Sequence, residues 1–64
     1  MNEYTYEIWE SYDRKITGRG WSDFEFHSLQ AIKADDATNA LVLAKHKLSR
    51  DERYQYQVRN LKKI

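Results

Sequence analysis

An extended, aromatic-rich half of this chain ends at Ile32-Lys33-Ala34-Asp35-Asp36, and a helix begins at Ala37-Thr38-Asn39-Ala40-Leu41. Asp36 is suited to the N-cap, because its short carboxylate can accept from the unpaired amides of a first turn and its charge matches the helix dipole. Asp35 competes for the same position. Beyond the cap, Ala37, Ala40/Leu41, Ala44 and Leu48 recur at helical spacing, which predicts a helix over about 37–49. The alanines allow its backbone to lie close on a sheet. Lys45, Lys47 and Arg50 fall towards the C-terminal end, where the dipole favours cations.

The stretch before the helix reads as two strands. In residues 3–12, Tyr4, Tyr6 and Ile8 alternate with Thr5, Glu7 and Trp9, so one face is apolar and Trp9 is left among polar neighbours on the other. Residues 13–20 form the hairpin connection, with Gly18 and Gly20 supplying conformational freedom and Arg14, Lys15 and Arg19 concentrating positive charge. The second strand starts near Trp21 and runs to about Lys33. Phe24 and Phe26 share one of its faces, and Asp23, Glu25 and His27 share the other. After His27 the alternation is in conflict: one parity buries Ser28, Gln30 and Ile32, the other Leu29 and Ala31. A bulge near Ser28 resolves such a conflict, since one extra residue reverses the faces.

After the helix, residues 49–53 form a polar loop. A third strand over 54–60 puts Tyr54, Tyr56 and Val58 on one face and Gln55, Gln57 and Arg59 on the other. The order ββαβ with a right-handed crossover gives an α+β fold. It is a three-stranded sheet in spatial order 2-1-3, with one helix packed on one face. The expected core comprises the apolar row of strand 1, Phe24 and Phe26, Tyr56 and Val58, and the helix residues Ala40, Leu41, Ala44 and Leu48.

Sixty-four residues form a single small domain over 1–64, and a chain of this size buries only about 60% of the surface it exposes unfolded. It has no cysteine and therefore no disulfide or thiolate metal site. What remains to support it is tight packing of its nine aromatic residues and self-association. No apolar run is long enough to span a bilayer and no signal-peptide pattern begins the chain, so a cytoplasmic location is expected.

The net charge of +1 disfavours a strongly basic nucleic-acid binder. It hides an asymmetry: residues 1–36 hold eight acids and four Lys/Arg, residues 37–64 two acids and seven Lys/Arg. The simplest account is mutual neutralisation within one fold. The alternative is a basic face for an acidic partner.

Catalytic chemistry finds little support in the residues. His27 and His46 stand on different elements with no metal-ligand spacing, Asp35 and Asp36 are explained by capping, and His27-Ser28 would point to opposite faces of a regular strand. We therefore expect no enzyme, no catalytic residues, no metal and no cofactor. The expected role is a non-enzymatic binding module acting through protein–protein contacts. It would work by homodimerisation or by inhibiting or adapting a partner protein, as accessory factors of phages and mobile elements do. Open strand edges invite such pairing, and Trp9, Trp21, Val42, Leu43 and Arg59 are the candidate contact residues. The alternative is nucleic-acid binding, in which Arg14, Lys15 and Arg19 contact phosphates and the aromatic open face of the sheet stacks bases. Glu7 and Glu25, expected on that face, oppose it.

Overall fold

A computed structural model describes residues 1–13 and 20–64 of the chain. Three strands and one helix follow in the order β1 (Asn2–Tyr12), β2 (Glu25–Ala34), α1 (Ala37–His46) and β3 (Tyr54–Lys63). The sheet order is β2-β1-β3, with β1 central and antiparallel to both neighbours. This is the α+β architecture expected from the pattern of elements, with the helix on one face of the sheet. The basic hairpin residues Arg14, Lys15 and Arg19 lie outside the described residues. Among the described residues no helix is long and apolar enough to cross a membrane.

The strand-to-helix passage behaves as its residues dictate. Asp36 has an extended backbone, and its Oδ1 accepts from the Asn39 amide at 2.8 Å. The helix is shorter than the expected 37–49 because the Lys47 amide turns back to Ala44 O at 3.2 Å, which tightens the last turn. Ala40 and Ala44 are fully buried against the sheet. Around them lie Tyr4, Tyr6, Ile32 and Ala34, with Ile8, Val58 and Leu61 partly buried at the margin.

Two interruptions of the ladder decide which side chains reach that core. In β2, Ser28 pairs with Ile8 but Phe26 pairs with Trp9, leaving His27 as the extra residue of a bulge. The bulge falls where the alternation is in conflict, but it points the flanking residues opposite to expectation. Ile32 and Ala34 are buried, while Phe26 is 50% exposed on the helix-free face and Phe24 lies near Arg59 rather than in the core. The second interruption lies in β3, where Thr5 pairs with Lys62 and Glu7 with Arg59. Asn60 supplies the extra residue with a φ of 55°, and asparagine is among the few non-glycine residues that adopt this conformation readily. It carries Leu61 back to the core side, so β3 extends to Lys63 instead of ending near Asn60.

β2 also starts later than expected. Trp21 forms only an isolated bridge with Asp13. Next to it, Ser11 and Ser22 make a buried polar latch: Ser11 Oγ donates to Ser22 O at 2.6 Å, and the Tyr12 amide donates to Ser22 Oγ at 2.9 Å. The latch fixes the return of the chain before Phe24.

The helix covers only part of the sheet. Ten residues of α1 rise about 15 Å, whereas the eleven-residue β1 runs about 35 Å. The molecule is accordingly elongated, 45 × 17 × 14 Å, with a radius of gyration of 13.6 Å against about 11 Å for a compact chain of this length.

A candidate interaction face

The side of the sheet away from the helix is built from the odd-numbered residues of β1 and their cross-strand neighbours. Glu7 stands opposite Leu29 on one side and Arg59 on the other, and Trp9 stands opposite Phe26 and Gln57. The Trp9 and Phe26 rings are 6.1 Å apart and tilted by 59°. Leu29 is 64% exposed. Together they form an apolar strip on the helix-free face, with Phe26 and Leu29 exposed among the described residues.

Arg59 and Glu7 are neighbours in register but do not form an ion pair within 4 Å. The Glu7 Oε1 atom instead accepts from Trp9 Nε1 at 2.9 Å and from Asn60 Nδ2 at 2.8 Å. These two hydrogen bonds, Trp9 foremost, hold the Glu7 carboxyl below its ordinary value against the opposing effect of desolvation, with lesser help from the nearby Lys62 and Arg59 charges. The Arg59 guanidinium lies 4.5 Å from the Trp9 ring centroid and 5.5 Å from that of Phe24, and its Nε donates to Gln57 Oε1 at 3.0 Å. Each such cation–π contact at an exposed site contributes about 0.5–1 kcal/mol. The guanidinium is thus fixed in place with no carboxylate partner among the described residues.

The five candidate contact residues therefore divide. Trp9 and Arg59 touch each other on the helix-free face. Val42 and Leu43, 46% and 42% exposed, lie on the helix and line a shallow groove of about 320 Å³ with Met1, Lys33, Ala34, Asp35 and Asn39. Trp21 sits at the bridge with Asp13. Phe26 and Leu29 complete the face although neither was a candidate contact; the only signal for them was the parity conflict around Ser28. Phe24 joins the same cluster through Arg59.

The bulge at His27 has a second effect. It turns the imidazole away from the helix-free face to the side of Glu10 and Tyr56. His27 Nε2 is 3.8 Å from Glu10 Oε2, and the His27 ring meets that of Tyr56 edge-on at 5.9 Å. His27 Nδ1 is also 3.1 Å from Ser28 Oγ, so these consecutive residues do meet, contrary to expectation for a regular strand. The serine hydroxyl is shared with Gln30 Nε2 at 3.2 Å, and both Ser28 contacts are on exposed surface. Burial, a hydrogen bond to Glu10 and the Glu10 charge raise the Tyr56 phenol above its ordinary value. In register Glu25 lies opposite Glu10, so it too leaves the face it was expected to share with Glu7.

Comparisons with protein-family models, with curated proteins and with solved structures return no match. The functional reading rests on the geometry of this chain.

Proposed function

We propose that this chain is a non-enzymatic binding module that presents the helix-free face of its sheet to a protein. The observation that carries the reading is the strip of Trp9, Phe26 and Leu29, flanked by an arginine that stacks on Trp9 and forms no ion pair among the described residues. Apolar area removed from water drives association, and aromatic residues with an adjacent arginine dominate binding energies where such surfaces are buried. Candidates on the helix, Val42 and Leu43, belong to a separate surface and are secondary to this role.

Affinity capture with the tagged chain tests the reading, with and without nuclease, comparing wild type with Leu29→Lys and Val42→Lys. The expected result is a bound protein, either a second copy or another chain, that resists nuclease, is lost with Leu29→Lys and is retained with Val42→Lys. Equal retention by all three chains would overturn it.

A nucleic-acid reading draws on one observation: Phe26 joins Trp9 and Arg59 on the open sheet, and Glu25 is removed from that face. Capture abolished by nuclease, with affinity falling steeply as salt rises, would favour it instead.

A further inference from the structure

Resting on that reading, we infer that the occupant of the helix-free face is a second copy of this chain, docked sheet on sheet. Four observations carry this.

The internal core is small: among the described residues its buried apolar members are Tyr4, Tyr6, Ile32 and three alanines, and the chain has no cysteine for a disulfide. Domains of this length are marginally stable, and association is one way to add burial. Phe26 and Leu29, 50% and 64% exposed, supply the missing burial once the face is covered.

The shape suits such a dimer. Three antiparallel strands present one open face along the roughly 35 Å of β1. Two such sheets pack about 10 Å apart with their strands near −30°.

The edges are blunted. β2 carries the bulge at His27, while β3 carries the bulge at Asn60 together with Arg59, Lys62 and Lys63. Bulges and lysines on edge strands oppose pairing with another chain. A partner that adds as a strand is therefore disfavoured at both sides, and the face is the surface left available.

The charges are self-complementary. By register the face holds Glu3 and Glu7 as well as Lys33, Arg59 and Lys62, so a like surface meets both signs. A second copy can bring a carboxylate to Arg59. The same two glutamates oppose a polyphosphate backbone.

Light scattering coupled to size exclusion, across micromolar to millimolar concentrations, tests the inference. Wild type is expected to reach twice its 7.7 kDa mass. Leu29→Lys and Phe26→Lys, both at exposed positions, are expected to stay monomeric with unchanged circular dichroism, and Val42→Lys to dimerise like wild type. Should a lysine variant fail to fold, the wild-type melting temperature decides: it is expected to rise with protein concentration, and independence from concentration overturns the inference. A monomeric mass throughout also overturns it, as does a dimer that survives both lysine substitutions. A monomer that still captures another protein through Leu29 overturns the inference and leaves the binding reading intact.

Discussion

Asn60 and Glu7 show how much of this molecule turns on single side chains. Asn60 occupies the left-handed region at φ 55° and also donates to Glu7. A β-branched residue there would strain the backbone by about 1–2 kcal/mol. Asn60→Val is accordingly expected to lower the urea midpoint, whereas Asn60→Gly removes the strain and loses only the side-chain bond; a larger loss for glycine than for valine would refute this account. Glu7 makes a prediction in pH. Its carboxyl is held below the ordinary value of 4.5 by Trp9 and Asn60, so the unfolded chain takes up the proton first as pH falls. The stabilisation is complete above about pH 4.5 and disappears as pH drops through the lower folded value. Denaturation midpoints measured across that range are expected to fall more for wild type than for Glu7→Gln. Tyr56 works in the opposite direction: its raised phenol keeps its contribution below about pH 10 and loses it as pH rises through the folded value.

Among the elements, β2 contains both the best and the worst of what pattern alone could reveal. The conflict of alternation after His27 marks the bulge correctly, yet Phe24 and Phe26 are on the other side from the one expected. The reason lies in the helix. Only Asp35 and Asp36 separate β2 from α1, so the helix must settle over the Ile32/Ala34 end of the strand. The Phe24/Phe26 end lies beyond its reach and has no apolar layer to join. Ala40 and Ala44 set the close approach of helix to sheet. Ala44→Leu is expected to cost about 1–3 kcal/mol by overpacking, and Asp36→Ala about 1 kcal/mol through the lost cap, both read by chemical denaturation. Deletion of His27 should leave Phe26 opposite Trp9 while restoring an unbroken edge. The expected outcome is a retained fold with association beyond two copies in light scattering, and an unchanged mass would show that the bulge does not protect that edge.

At the scale of the whole molecule, the short helix and long strands divide the sheet into a covered end and an uncovered one. Hydrogen exchange should follow this division. Amides of Tyr4, Tyr6 and Ile8 on the central strand are expected to exchange slowly, and those of Glu25–His27 and Tyr54–Gln57 at the uncovered ends early. Uniform protection along β2 and β3 in dilute monomer would contradict the division. The two candidate surfaces, the helix groove around Val42 and the strip around Trp9, belong to different elements, which makes their contributions separable by substitution.

Local rules suffice for the elements, the Asp36 cap, the sheet order and the existence of a bulge, because each depends on period, capping chemistry or chain connectivity within a few residues. They could not decide which aromatic residues face the helix. That choice depends on where a ten-residue helix ends along an eleven-residue strand, a relation between elements far apart in sequence. Nor could they pair Glu7 with Trp9 and Asn60 instead of Arg59. Only the fold brings residues fifty-three positions apart within hydrogen-bonding distance and leaves Arg59 stacked on Trp9 with no ion pair among the described residues.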